Sequence, residues 1–126
     1  MTPFGRKLRA LRQERGVTLG ELARALQVSS AYLSALEHGH RGRPSAGLVH
    51  QVNEFFGLIW DEGDEMGRLA GLSHPKVVLD TAGLSPEATE LANLLGERIG
   101  KLSPEVLERL LAIVRAWSPE VESPEA

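Results

Sequence analysis

Apolar residues recur at helical spacing through the first half of the chain. Phe4, Leu8 and Leu11 fall at i, i+4 and i+7, one face of a helix with 3.6 residues per turn. This predicts a first helix over roughly 4–15, stopped at Gly16. Thr18-Leu19-Gly20-Glu21 has the form of a capping box, in which the Thr18 hydroxyl accepts from the Glu21 amide and the Glu21 side chain reaches back. Leu22, Ala23 and Leu26 then give a second helix its buried face, ending near Gln27. Val28-Ser29 is a turn. Ser29 or Ser30 caps a third helix that runs to about His38, with Leu33 and Leu36 inward and Gly39 as its stop. After the loop His40-Arg41-Gly42-Arg43-Pro44, Ser45 caps a fourth helix with Leu48, Val52, Phe55 and Phe56 as apolar bulk and Gly57 at its end. Ile59 and Trp60 are expected to open a fifth helix through Met66, Leu69 and Leu72. Asp61, Glu62, Asp64 and Glu65 load its first turns with the charge that a helix N-terminus favours.

Ser73-His74-Pro75 breaks the pattern. Lys76-Val77-Val78-Leu79-Asp80 is a short apolar run, read as a strand or a core-crossing extended segment. With no partner strand in the sequence, extended coil or an intersubunit pair is favoured. Ser-Pro-Glu then recurs at 85–87, 103–105, 118–120 and 123–125. Serine at the N-cap with proline at the first helical position is a strong start signal. The first two copies precede helical stripes, Ala88, Leu91, Leu95 and Ile99 in one, and Val106, Leu110, Ile113, Val114 and Trp117 in the other, widened by Leu107 and Leu111. The last two precede nothing periodic, so 118–126 is expected to be a frayed acidic tail.

The 126 residues are 42% hydrophobic and 25% charged, which is globular rather than disordered composition. Aromatics reach only 5%, so the core rests on Leu, Val, Ile and Ala, and helices are favoured over a sandwich. The absence of cysteine excludes disulfides and thiolate metal sites. The first seven residues have no apolar run after their charges, and no segment is long enough to span a bilayer. The expectation is a cytoplasmic protein that does not engage a membrane.

Charge is divided along the chain. Residues 1–45 carry eight Arg and Lys (Arg6, Lys7, Arg9, Arg12, Arg15, Arg24, Arg41, Arg43) against three acids, and the remainder carries six against fourteen. A net charge of -3 therefore conceals a basic front and an acidic back, as if one end meets a polyanion.

Two short helices with a tight turn between them can place the second in a major groove. Here the residues themselves are informative. Gly16-Val17-Thr18-Leu19-Gly20-Glu21-Leu22-Ala23, Leu26-Gln27-Val28-Ser29, Tyr32-Leu33-Ser34-Ala35-Leu36-Glu37-His38-Gly39 and Arg43-Pro44-Ser45 together resemble the Cro/lambda-repressor-type (XRE) helix-turn-helix family, over about residues 4–60. The resemblance implies an all-α chain with a five-helix lambda-repressor-like domain, recognition helix 29–38 and a structural Glu37, engaged in a cap or an internal ion pair because an acid there would repel phosphate. It implies a nucleoid-associated, sequence-specific regulator of transcription on double-stranded DNA. By motif position, Ser30, Ala31, Ser34 and Ala35 would face base edges. Thr18, Ser29, Tyr32, His38, His40, Arg41 and Arg43 would approach the backbone, with packing against the second helix an equal reading for Tyr32. Two departures stand out. The base-facing residues are small and offer no bidentate fork, so DNA shape or the Arg41/Arg43 loop is expected to add specificity. Gln27 stands where the family often has glycine, at a position that can require positive φ, a cost of about 1 kcal/mol.

The expected organisation is a DNA-binding domain over 1–72, a linker or extended segment over 73–84, a helical dimerisation or accessory segment over 85–117, and the tail. Leu91, Leu95, Ile99, Val106, Leu110, Ile113, Val114 and Trp117 would either pair across a two-fold axis, making a homodimer on an inverted-repeat operator, or fold back on residues 46–72. The apolar stripes are wider than a short hairpin buries against itself, which favours the dimer. The alternative is an antitoxin-like or scaffold protein whose acidic half binds a protein partner. No catalytic constellation, cofactor loop or metal-spaced ligand set is present, and His38, His40, His50 and His74 are scattered, so no enzyme, cofactor or metal is expected.

Overall fold

The computed structural model describes residues 1–117, and among these all regular structure is helical: α1 (Pro3–Arg15), α2 (Leu19–Leu26), α3 (Ser30–His38), α4 (Ala46–Phe56), α5 (Asp61–Gly71), α6 (Pro86–Arg98) and α7 (Pro104–Ala116), with a 3-10 turn at Ile99–Lys101. The acidic tail expected over 118–126 lies outside the described residues. Six of the seven α-helices begin on a side-chain cap. Thr2, Thr18, Ser29, Ser45, Ser85 and Ser103 each accept from the backbone N–H three residues on, removing one of the unpaired donors at a helix start. Gly16, Gly39 and Gly57 end α1, α3 and α4 in the left-handed region, where a Cβ would be penalised.

The chain divides into two units, Met1–Val78 and Leu79–Ala126. In the first, α1 to α5 share one core. Phe4, Leu8, Leu22, Leu33, Val52 and Met66 are fully buried at its centre, each stabilising the fold by roughly 1.5–3 kcal/mol. α3 packs on both α1 and α2, α4 packs on α2 and α5, and α5 returns to α1. The closest approach is at Gly5, where an added Cβ would collide with the Glu37 backbone, its Cα only 2.8 Å away. The far end of the unit is fastened to its beginning. The Phe4 N–H donates to Ser73 Oγ at 2.9 Å, and that hydroxyl donates to Leu69 O at 2.7 Å.

Three expectations about apolar residues are corrected. Trp60 does not open α5 as part of a buried stripe. It precedes the helix at φ 52° and ψ -124°, without a side-chain cap, and is 82% exposed; Ile59 is exposed as well. The acids of the first α5 turn are exposed too, and Leu58 and Met66 carry the burial instead. Leu72, expected on the inner face of α5, is exposed beyond its end. Val77, Val78 and Leu79 do not cross a core; they are irregular and exposed.

The second unit contains α6, the 3-10 turn and α7. None of its described residues is buried. Leu95, Val106 and Leu110 are half-buried, while Leu91, Ile99, Ile113, Val114 and Trp117 are exposed.

Candidate nucleic-acid interface

The interface is built from the two helices that flank Gln27-Val28-Ser29. The capping box at Thr18 is complete. Its hydroxyl accepts from the Glu21 N–H at 3.0 Å, and its own N–H donates to Glu21 Oε1 at 2.8 Å. These bonds, the Thr18 backbone N–H foremost and then its hydroxyl and the charge of Arg24, hold the Glu21 carboxyl below its ordinary pKa. α2 ends at Gln27, in the left-handed region at φ 61° and ψ 43°, with its N–H turned back to Ala23 and Arg24 carbonyls. Val28 packs on the core, and Ser29 Oγ then accepts from the Tyr32 N–H at 3.0 Å. The turn is therefore pinned on both sides, and α3 leaves it at a fixed angle.

On α3, Leu33, Leu36 and Glu37 face inward. Ser29, Ser30 and Ala31 stand exposed in the first turn, and Ser34 and Ala35 are half-buried behind them. His38 is exposed at the far end. Its Nδ1 lies 2.8 Å from Ser34 O, and its ring stacks beside His40 with centroids 6.4 Å apart. His40, Arg41 and Arg43 are exposed in the following loop. Tyr32 is half-buried and packs on the core, and the Arg41 guanidinium lies over its ring, 5.6 Å from the centroid. A cleft of about 580 Å³ opens where the starts of α3 and α4 approach each other, lined by Val28, Ser29, Tyr32, Ser45, Gly47, Leu48 and Gln51. The structure thus brings Ser29, Tyr32 and Arg41 together. Arg43 instead lines a separate cavity with residues of α4 and α5.

Two arginines of the basic front are used inside the fold. Arg12 Nε donates to Glu37 Oε2 at 2.8 Å and Nη2 to Oε1 at 3.1 Å, while Nη1 donates to Val17 O. Hydrogen bonding to Glu37 raises the Arg12 pKa, partial burial opposes it, and the Glu37 charge adds to the rise. This paired Glu37 is 2% exposed, so its charge is turned away from the surface that α3 presents. Arg15 donates to Phe56 O at 3.1 Å and lies over the Phe56 ring, closing the end of α4. Sequence reasoning did not assign these roles, nor Gln51 a place in the cleft. The available signal was the structural role, a cap or an internal ion pair, that the family resemblance implies for Glu37; it did not name Arg12 as the partner.

Residues 3–66 match a family model described as a helix-turn-helix domain. The chain belongs to the helix-turn-helix family of XRE-type regulators. It is similar to the HTH-type transcriptional repressor RghR of Bacillus subtilis, with 38% identity over 68 residues, half of each chain. It is also similar to the HTH-type transcriptional regulator DdrOP3 of Deinococcus deserti, with 44% identity over 52 residues, covering 41% of this chain and 40% of that one. A third relative, the uncharacterized HTH-type transcriptional regulator RghRB of B. subtilis, is 40% identical over 52 residues, 41% of this chain and 37% of its own. The chain thus spans half or less of the length of these curated relatives. No solved structure matches it. Among the described residues, no helix of this XRE-type chain is long and apolar enough to cross a membrane.

Proposed function

We propose that the chain is a sequence-specific, double-stranded DNA-binding transcriptional regulator that acts as a homodimer on an inverted-repeat operator. α3 enters the major groove, with Ser30, Ala31, Ser34 and Ala35 toward base edges. Thr18, Ser29, Tyr32, His38 and the His40–Arg43 loop lie along the strands. The observation that carries this is the exposed first turn of α3 on a helix-turn-helix frame, beside the exposed cations Arg41 and Arg43. Neither cation has an ion-pair partner among the described residues. Exposed cations near a groove-entering helix supply the phosphate attraction, and the small side chains allow close approach. The regulator assignment is also supported by the named relatives.

Residues 85–117 supply the dimer contact. Leu91, Ile99, Ile113 and Val114 expose more than half their surface, and covering each against a second copy is worth up to roughly 1.5–3 kcal/mol. A single helix-turn-helix reads one half-site; a two-fold dimer reads two, about one helical turn apart. Residues 1–72 form the DNA-binding domain in this reading, and 73–84 join it to the dimer segment. The test is enrichment of random duplexes by the full chain at near-physiological salt. Recovery of an inverted motif with half-sites about 10 base pairs apart supports the reading. Salt-sensitive binding without a motif leaves only phosphate attraction and overturns it.

A further inference from the structure

We infer that Arg41, held by Tyr32, reads a guanine in each half-site. This rests on the operator reading above and moves Arg41 from the phosphates to a base edge. The starting point is a deficit. Ser30, Ala31, Ser34 and Ala35 carry no planar fork, and a duplex-reading helix normally gains much of its discrimination from bidentate side chains. Arg41 supplies the missing group. Its guanidinium lies 5.6 Å from the Tyr32 ring centroid, within the range at which a cation is attracted to an aromatic face.

Tyr32 belongs to the first turn of α3, two residues after Ser30 and one after Ala31. A guanidinium anchored there travels with that turn into the groove, although it is attached to the loop after the helix. The placement also suits a base edge. The ring beside the guanidinium restricts where it can go, and the guanidinium carries its five N–H donors in one plane. That plane suits the O6 and N7 acceptors of guanine, which accept a parallel pair of bonds. An arginine fork also pairs with phosphate, and Arg43, without an aromatic contact among the described residues, is left for that role. Tyr32 is fixed in turn: its N–H is capped by Ser29 and its ring packs on the core. Arg41 is therefore the specificity-determining residue and Tyr32 its positioning residue.

The test is random-duplex selection with full-length wild type, Arg41→Ala, Arg41→Lys, Tyr32→Leu and Tyr32→Phe, followed by titration of duplexes that differ only at the guanine. Wild type should prefer guanine there by roughly 5- to 150-fold. Arg41→Ala, Arg41→Lys and Tyr32→Leu should lose that preference and keep the rest of the motif, which shows that they remain folded. Tyr32→Phe, with its ring intact, should retain it. A wild-type motif left unchanged by Arg41→Ala, with affinity for all sequences reduced alike, overturns the inference alone and makes Arg41 a phosphate contact. A wild type that enriches no motif overturns the operator reading and this inference with it.

Discussion

Arg12 and Glu37, 25 residues apart, form a two-bond ion pair that ties α1 to α3. Glu37 is buried and Arg12 largely so, with side-chain exposures of 3% and 13%, so the Glu37 charge has no water to fall back on. Removing one partner from such a pair costs about 3–5 kcal/mol, whereas replacing both with apolar groups is often neutral. Arg12→Ala should lower stability by about that amount in urea denaturation, and Arg12→Met with Glu37→Leu should recover most of the loss. Equal destabilisation by the single and double variants would show that the pair is not the source.

Gln27 sits in the left-handed region, which costs an L-residue roughly 1–2 kcal/mol that glycine avoids. Glycine gives part of this back through its unfolded-state entropy. Gln27→Gly should stabilise the protein by about 0.5–1 kcal/mol net, seen as a rise of a few degrees in Tm. A fall in Tm would mean that the Gln27 side chain contributes something its backbone geometry does not show.

Gly5 and Gly20 provide a matched contrast. A Cβ at Gly5 meets the Glu37 backbone, while one at Gly20 meets nothing within 4 Å. Gly5→Ala should destabilise by about 3 kcal/mol or more, because backbone gives way less easily than a flexible side chain. Gly20→Ala should be neutral or stabilising by up to about 1 kcal/mol. Denaturation midpoints for the two variants separate these effects.

Much of this architecture is local and was therefore legible. The cap at each helix start except α5 is decided within four residues, and the starts at Thr18, Ser29, Ser45, Ser85 and Ser103 fall where Ser, Thr and Pro place them. Contacts between distant residues were not legible. Nothing near Glu37 identifies Arg12 as its partner, and nothing near Phe4 points to Ser73, 69 residues away. Trp60 shows a different limit. Its hydrophobicity matches a buried stripe, but the acids after it favour water and the chain turns before the helix begins. At the interface, the residue positions came from the motif, while the placement of Arg41 over the Tyr32 ring is a contact made across the end of α3.

The Glu21 carboxyl is held below its usual value of 4.5 by the Thr18 backbone N–H and then the Thr18 hydroxyl. A depressed folded-state pKa contributes stability that is complete above the unfolded value and is lost as pH falls through the folded one. The advantage of wild type over Glu21→Ala should therefore be fully present at pH 7 and shrink once pH drops below about 4.5. Thermal melts of both proteins across acid pH check this; a constant difference would contradict it.

The dimer contact has its own test. Ile113 is 68% exposed on α7, so Ile113→Asp should leave the chain folded while placing a charge in the proposed seam. Wild type should sediment at twice the 13.7 kDa chain mass at micromolar concentration, and Ile113→Asp at the chain mass. A wild type that sediments as a monomer would remove the dimer.

The most direct measurement of the central claim is an equilibrium titration of the full chain, at near-physiological salt, on its enriched duplex and on a shuffled duplex of the same composition. Sequence-specific regulation requires binding to the enriched site at least about 10³-fold tighter. Equal affinity for both duplexes would contradict it.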